Sequence, residues 1–280
     1  MSEQQAAAAK TASKSQPSGT VNALASHPIV SRSEWLKARN ALLAKEKAFT
    51  GMRDQLNSEQ RALPWVRIEK EYVFDASSGK ITLAQLFNGR SQLFIKHFMM
   101  GPGQTRQCVG CSFEVDHIQG LLPHFENHDL TYAAVARAPI DEIETLRKRM
   151  GWNFTWVSSY KSDFNYDFNV SFAPEQLAAG TAFYNFQQTN PGMEDLSGDS
   201  VFFKDDSDQI FHTYSTFGRG GEQFLGAYNF FDVTPKGRNE NGPYHSLGDW
   251  VRPWNMYGKG GMVEANGRFH SPGCACSAHK

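Results

Sequence analysis

The chain has 280 residues, a length that fits one large domain or two modest ones. Its 40% hydrophobic and 20% charged residues are typical of a globular protein with a sizeable core. The formal net charge of −1 lacks the basic excess that nucleic-acid-binding modules direct at phosphates. No apolar run reaches the roughly 18 residues that a membrane span needs. We therefore expect that the protein binds no nucleic acid and does not associate with a membrane.

The N-terminal segment and the cysteine pattern bear on the cell compartment. Residues 1–26 are small and polar, too poor in apolar surface to order themselves, and are predicted to be a disordered tail. They contain no apolar stretch of about 7–15 residues, which a secretory signal needs. The four cysteines form two close pairs, unlike the spread cysteines of a secreted disulfide scaffold. These features predict a cytoplasmic protein whose thiols are kept reduced.

A helical arm is predicted to follow this tail over 27–64. Ser31 and Glu34 stand at capping-box spacing and predict that a helix begins at Ser31. Apolar residues then recur at helical spacing from Trp35. The pair Thr50-Gly51 predicts a break, so we expect the arm to consist of two helices that end before Pro64.

The middle of the chain shows a β–α–β–α–β pattern. Its strands are predicted over 91–99, 130–137 and 154–158, and its helices over 109–125 and 140–150. This order predicts a central sheet of parallel strands with right-handed crossovers. Two further strands, 200–204 and 209–215, predict a hairpin that forms an antiparallel edge to the same sheet. The fold class is therefore α/β. In the segment 216–280 the sequence pattern predicts no secondary structure beyond a short helix near Glu222.

The motif Cys108-Val109-Gly110-Cys111 follows a buried strand and opens a helix, a context in which Cys-x-x-Cys is typical of redox sites. Unpaired N–H groups and the dipole of a first helical turn stabilise negative charge, so the pKa of Cys108 should lie below about 8.5. Cys111 lies one turn later, close enough to attack a mixed disulfide at Cys108. We predict that Cys108 is an exposed nucleophile and that Cys111 is a covered resolving cysteine.

Three other interpretations stay open. In the first, Cys108 and Cys111 have no role. In the second, they join Cys274 and Cys276 in a four-sulfur zinc site. Alternatively, Pro102, Thr105 and Cys108 give P-x-x-T-x-x-C, one residue short of the peroxiredoxin pattern in which the threonine helps to hold a peroxide. We predict no metal and no cofactor. The substrate is expected to be a disulfide or peroxide, small or protein, and the oligomeric state stays open.

Other polar residues near the motif are weaker candidates. His97 lies on the strand that leads to the motif, where a histidine is more often a core residue than a catalyst. Asp116 follows Cys111 on the same helix, placed as a proton acceptor through water or as an ordinary surface charge. Arg219 stands in a Gly-flanked loop and either binds an anionic partner or is simply solvated.

The chain resembles a bacterial family of unknown function that is described as predicted thioredoxin-like dithiol–disulfide oxidoreductases. The resemblance spans His27 to Trp250 and is carried by the segments EWLKARNALLAKEKAF, RALPWV, LFNGRSQLFIKHFMMGPG, CVGCSFEVDHI, DFNYDF, HTYSTFGRG and FFDVTPKGRNE. It implies a thioredoxin-like fold and a dithiol role for Cys108 and Cys111. We therefore expect a thioredoxin-like domain over 27–250, with an aromatic C-terminal extension that ends in a tail over 251–280. It implies no known substrate.

The sequence departs from the wider thioredoxin pattern at one point. The stretch before the final hairpin, Ser197 to Val201, lacks the proline that docks substrate backbone in thioredoxins. The Phe-rich insertion between Asp163 and Phe186 is instead expected to shape a pocket for a small or apolar substrate. The favoured function is a thiol–disulfide oxidoreductase. The alternatives are a thiol peroxidase that uses Cys108 and Thr105, and a non-catalytic binding protein on the same fold.

Overall fold

The computed structural model describes residues 27–273, so the predicted disordered tail 1–26 and the pair Cys274 and Cys276 lie outside the described residues. The helices are α1 (Arg32–Arg61), α2 (Leu83–Leu86), α3 (Val109–Val115), α4 (Leu122–Asn127), α5 (Ile140–Met150), α6 (Phe164–Asp167), α7 (Pro174–Ala179) and α8 (Gly226–Phe231). The strands are β1 (Val66–Arg67), β2 (Val73–Ala76), β3 (Gly79–Thr82), β4 (Gln92–His97), β5 (Gln107–Cys108), β6 (Leu130–Ala136), β7 (Thr155–Ser158), β8 (Ala182–Tyr184), β9 (Gln187–Thr189), β10 (Gly198–Lys204), β11 (Ile210–Phe217), β12 (Met262–Val263) and β13 (Arg268–His270).

Helix α1 begins where the sequence predicts. The Ser31 N–H donates to the Glu34 carboxylate at 2.9 Å, and the Glu34 N–H donates back to Ser31 Oγ at 3.3 Å. The predicted break at Thr50-Gly51 is wrong, because α1 continues to Arg61 as one helix of 30 residues with none buried. A glycine in an exposed helix costs only about 1 kcal/mol, which the surrounding Ala, Leu, Lys and Glu residues offset. No helix within 27–273 is both long and apolar enough to cross a bilayer.

The central sheet has eight strands in the order β1-β11-β10-β4-β6-β7-β2-β3. Strands β4, β6 and β7 are parallel neighbours, and β10 pairs antiparallel with both β4 and β11. The predicted β–α–β–α–β unit and the hairpin are therefore confirmed. The hairpin is not the edge of the sheet, since β1 pairs with β11 on its far side. A parallel core that begins with the strand before the Cys motif and is flanked by an antiparallel hairpin is a thioredoxin-like fold.

The alternation of side chains along β4 gives the two faces of the sheet different contents. Leu93 and Ile95 pack into one apolar cluster, and His97 stacks on Phe164 on that same face. Lys96 points the other way, toward α3, where it meets Glu114. A strand sends successive side chains to opposite faces, so a single strand supplies both the core and one wall of the Cys site.

The Phe-rich insertion fills the core. Phe164, Phe168 and Phe172 are 0%, 8% and 3% exposed, and the first two pack with Phe202 against the face of the sheet that carries Ile95. These three rings belong to the core, so the prediction that the insertion shapes a substrate pocket stays a prediction only for its exposed end, where Phe183 and Phe186 are 43% and 67% exposed. Burial of rings of this size stabilises a fold strongly. Phe168 contacts Phe202 edge to face, and Phe164 lies tilted against both rings.

One predicted helix is shorter than the sequence pattern indicates. The segment 109–125 contains α3, a short 3₁₀ turn and the beginning of α4, because Gly120 and Pro123 interrupt a continuous helix. Helix α7 ends at Gly180, whose φ of 65° is a left-handed cap, and the small hairpin β8–β9 follows it.

Candidate active site

Cys108 caps the helix that follows it. It ends β5 in an extended conformation (φ −70°, ψ 116°), and the Cys111 N–H donates to Cys108 Sγ at 3.3 Å. The first N–H groups of a helix have no partner within the helix, so a sulfur in this position satisfies one of them. The predicted start of a helix at the Cys motif is therefore confirmed.

A C-terminal strand holds the motif in place. Strands β12, β13 and β5 form a small antiparallel sheet in which Arg268 pairs with Cys108 and Phe269 pairs with Gln107. The Val109 N–H adds a hydrogen bond to Gly267 O at 3.0 Å. Strand β13 is absent from the sequence predictions because it is only three residues long. The signal that marks it is the dipeptide Asn266-Gly267, a typical hairpin turn.

The surroundings of Cys108 favour its thiolate. The pKa of Cys108 is lowered to about 6, chiefly because the Cys111 thiol donates a hydrogen bond to it. Burial opposes this shift, while the positive charges of Arg268 and Lys96 and the Cys111 N–H reinforce it. Arg268 is only 9% exposed and is fixed by its donation to Met99 O at 2.6 Å. Its charge therefore acts on Cys108 with little screening by solvent.

Cys111 is held in the opposite state. Burial raises its pKa well above the ordinary range, and its hydrogen bond to Cys108 and the charge of Cys108 add to the effect. The Met99 N–H donates to Cys111 Sγ at 3.5 Å. The two opposite shifts therefore favour a thiolate at Cys108 and a thiol at Cys111. Once the Cys108 sulfur has formed a covalent bond, its negative charge no longer adds to the effect of burial on the pKa of Cys111.

Both sulfurs are buried. Cys108 and Cys111 are free thiols that are 5% and 2% exposed. The expectation that Cys108 is exposed is therefore wrong. β13 covers the motif on one side, and the Met99 side chain lies against Cys108, with Met99 Sδ 3.8 Å from Cys108 Sγ.

A cluster of buried charges lies beside the pair and is absent from the sequence predictions. Lys96 Nζ lies 2.5 Å from a Glu114 carboxylate oxygen, 3.4 Å from Asp199 and 3.0 Å from Ser197 Oγ. Burial raises the pKa of Glu114 and of Asp199, whereas the same two carboxylates raise the pKa of Lys96 against the effect of its own burial. The positive charge of Lys96 lowers the pKa of both Cys108 and Cys111, so this cluster acts electrostatically on the dithiol.

His97 and Asp116 lie outside this arrangement. His97 is fully buried on the opposite face of the sheet, where its Nε2 lies 2.8 Å from Ser200 Oγ and burial lowers its pKa to about 3. It is the core histidine that the sequence favours. Asp116 accepts a hydrogen bond from Trp152 Nε1 at 2.9 Å, and burial raises its pKa to about 6. The side chain whose charge lowers the pKa of Cys111 is Lys96.

The remaining candidates lie at the surface. Arg219 is 88% exposed at its side chain and pairs with Glu222 three residues later, as a solvated arginine does. Thr105 is exposed and lies on the loop that precedes β5. At the point where thioredoxins carry their proline, Ser197 accepts a hydrogen bond from Lys96, so the structure agrees with the departure seen in the sequence.

A cavity of about 400 Å³ adjoins the pair, between the segment 98–107 and helix α5. Met99 forms part of its wall and also touches Cys108. The rim is linked to the motif by hydrogen bonds, since Arg149 donates to the Gln107 side chain at 2.8 Å and Gln107 donates to Ser112 Oγ at 2.7 Å. The cavity therefore adjoins the Cys motif through Met99 and Gln107.

The zinc interpretation needs Cys274 and Cys276, which lie outside the described residues. Among residues 27–273, no group of three or more His, Cys, Asp and Glu side chains is arranged to hold a metal ion. Within these residues Cys108 and Cys111 therefore have no further metal-ligand set around them.

The family model described as "Bacterial protein of unknown function (DUF899)" matches residues 24–257. The chain belongs to this family. The resemblance drawn from the sequence motifs is thereby confirmed. No curated protein matches the chain.

Several solved structures are similar to the chain at low identity. Peroxidoxin BcpB from Mycobacterium tuberculosis has a TM-score of 0.38 and 10% identity, over 56% of this chain and 90% of its own. A cysteine-to-serine mutant of peroxiredoxin Q from Xanthomonas campestris has a TM-score of 0.36 and 17% identity, over the same shares. A thiol peroxidase from Chromobacterium violaceum has 0.34 and 12%, over 56% of this chain and 73% of its own. At these TM-scores the likeness carries no argument, and the fold assignment rests on the strand order.

Replacing Arg268 by methionine is expected to raise the pKa of Cys108 by about one unit, because a positive charge close to the thiolate is lost. The measurement is the pH dependence of the rate at which iodoacetamide alkylates Cys108. Arg268→Lys keeps the charge and should keep the midpoint close to that of the unaltered protein. An equal shift in both variants would mean that packing by the guanidinium, and not its charge, controls the thiolate.

Proposed function

We propose that the chain is a thiol–disulfide oxidoreductase in which Cys108 is the nucleophile and Cys111 is the resolving cysteine. The observation that carries the proposal is the hydrogen-bonded pair at the start of α3, where Cys108 Sγ accepts from the Cys111 N–H and its pKa falls to about 6 while that of Cys111 rises. Such a pair holds one thiolate and one thiol at neutral pH, the starting state of dithiol exchange.

The proposed reaction transfers two electrons to a disulfide. The Cys108 thiolate attacks one substrate sulfur, the substrate S–S bond breaks, and one substrate thiolate leaves. Cys111 then releases its proton and attacks the Cys108 sulfur, which frees the second substrate thiolate and leaves a Cys108–Cys111 disulfide. The positive charge of Lys96 lowers the pKa of Cys111 and so favours loss of its proton. This chemistry suits a reducing compartment such as the cytoplasm.

The first test is the ionisation of Cys108 itself. In a Cys274→Ser/Cys276→Ser background, the alkylation rate of the motif should rise with pH through a midpoint at about 6 and level off above it, because the thiolate is the reacting form. The Cys108→Ser variant of that background is the control that assigns the reaction to one sulfur. A midpoint at the ordinary thiol value of about 8.5 would overturn the proposal.

A thiol peroxidase is the rival enzyme, and the position of Thr105 is what favours it. Thr105 lies three residues before Cys108 on the rim of the adjoining cavity, which is open to a small molecule. In that reaction the Cys108 thiolate attacks the O–O bond, is oxidised to a sulfenic acid and releases water or an alcohol, and Cys111 then forms the disulfide with loss of water.

Single-turnover kinetics separate the two activities. Stopped-flow mixing with hydrogen peroxide and with a low-molecular-weight disulfide should show the faster reaction with the disulfide. The peroxidase would instead be established by a peroxide reaction that is faster by orders of magnitude and that disappears in Thr105→Val, which lacks the hydroxyl. Absence of both reactions in the unaltered protein would leave the third interpretation, a binding protein on a thioredoxin-like fold.

A further inference from the structure

The burial of the dithiol requires a route by which a substrate reaches it. Cys108 is 5% exposed, yet disulfide exchange needs direct approach of a substrate sulfur to Cys108 Sγ. On one side β13 is hydrogen-bonded across the motif, so opening there breaks backbone pairs. On the other side the flexible side chain of Met99 touches Cys108 Sγ at 3.8 Å and lines the adjoining cavity. Moving that side chain is the cheaper route, because an unbranched thioether changes rotamer without breaking backbone hydrogen bonds.

The lining of the cavity defines what it would accept. Its deep wall is apolar, with Phe98, Met99, Met100 and Leu146 each between 2% and 7% exposed. A volume of about 400 Å³ holds a molecule of one or two aromatic rings, and apolar cavities of this kind are usual ligand sites. A folded protein substrate is too large to enter, so the cavity favours a small organic substrate over a protein disulfide.

The rim of the cavity adds a positive charge. Glu142 also lines the cavity, where its carboxylate is held by the Gly103 N–H at 2.9 Å without loss of its charge, and Arg106 is paired with Glu264 at 2.7 Å. Arg149 donates to the neutral amide of Gln107, and no carboxylate in the described part of the chain forms an ion pair with it. Arg149 therefore offers its charge to an anionic group of a ligand whose apolar part lies on the deep wall.

We propose that this cavity is the substrate site, that it takes a small organic disulfide with an apolar body and a carboxylate, and that the Met99 side chain is the gate between the cavity and Cys108. The inference rests on the proposed oxidoreductase function and names the substrate class of the same site. Arg149 binds the carboxylate, the apolar wall holds the ring or chain, and displacement of Met99 brings the substrate S–S bond onto Cys108 Sγ.

Two aromatic disulfides that differ in charge test the recognition of the carboxylate. In the Cys274→Ser/Cys276→Ser background, single-turnover rates are measured with dithiobis(nitrobenzoate), which carries carboxylates, and with neutral dithiodipyridine. Arg149→Gln should lower the rate with the first by about two- to fivefold, the effect of one accessible ion pair, and leave the second unchanged. Lys148→Gln removes the same charge from the neighbouring exposed position, outside the cavity, and should change neither rate.

The gate is tested with both probes at once. Met99→Ala removes the obstructing side chain and should raise both rates by about tenfold, whereas Met99→Leu, which is branched and similar in volume, should keep them low. Met193→Ala shortens another methionine on the same apolar cluster, away from the cavity, and is the control for general loosening. The pH midpoint of alkylation is recorded for each variant, so that a change in thiolate fraction is separated from a change in access.

The outcomes distinguish the inference from the function on which it rests. If the parent protein reacts with both disulfides through Cys108, but Arg149→Gln lowers the two rates equally or not at all, the substrate assignment is wrong and the oxidoreductase stands. If Met99→Ala reacts no faster than Met99→Leu, the gate is wrong. If the parent reacts with neither disulfide faster than an unfolded thiol of the same chain, the proposed function itself fails.

Discussion

Replacement of Cys108 by serine is expected to lower disulfide reduction at the motif by at least about a thousandfold, whereas replacement of Cys111 should stop the reaction one step later. A serine at 108 still caps α3, because a hydroxyl accepts from the Cys111 N–H as the sulfur does, so the fold should persist. The serine hydroxyl does not ionise near neutral pH, and the attacking anion is therefore lost.

The stoichiometry of the released thiolate distinguishes the two roles. In the Cys274→Ser/Cys276→Ser background, dithiobis(nitrobenzoate) should release two chromophores per molecule in the parent and one in Cys111→Ser. Cys111→Ser should also keep a mixed disulfide that mass spectrometry detects at Cys108. Cys108→Ser should release none on the same time scale. A mixed disulfide that accumulates at Cys111 in the Cys108→Ser variant, at the rate of the parent, would reverse the assignment of nucleophile and resolving thiol.

The parts of the fold that the sequence predicts well are those with a local and repeated signal. The apolar runs that become β4 and β6, the helix over 140–150 and the strand–Cys–helix order each follow from residues close together in the chain. The observed α5, Ile140–Met150, has the predicted bounds because Pro139 precedes it and Gly151 caps it with a φ of 69°. These signals place Cys108 at the start of a helix before any tertiary contact is known.

The parts that the sequence does not predict depend on contacts between distant residues. Lys96 and Asp199 are more than a hundred residues apart, and only the pairing of β4 with β10 brings them together. Arg268 lies 160 residues after Cys108, in a strand too short for a periodic pattern. The prediction that Cys108 is exposed fails for the same reason, since β13 and Met99 cover it from outside the local motif.

Replacement of Lys96 by methionine is expected to be strongly destabilising, because it leaves Glu114 and Asp199 in the core without their cation. Lys96 is 1% exposed, and removing one partner of such a buried cluster costs about 3–5 kcal/mol. Burial raises the pKa of both carboxylates in the folded state, and loss of Lys96, which lowers both, raises them further. Groups with a raised folded pKa are stabilising only while protonated, so the free energy of unfolding of Lys96→Met should fall as pH increases from about 4.5.

Urea unfolding at pH 5 and at pH 8 measures this effect, with the larger loss expected at pH 8. The matched control is Lys96→Met/Glu114→Gln/Asp199→Asn, which removes the charges together and should recover most of the lost stability. A second measurement concerns the site, because Lys96 also lowers the pKa of Cys108. The alkylation midpoint of Cys108 should therefore rise in the single and the triple variant alike. If the single variant loses equal stability at both pH values, or the triple variant recovers none, Lys96 stabilises the fold through packing and not through its charge. If the alkylation midpoint stays unchanged in both variants, the charge of Lys96 does not lower the pKa of Cys108.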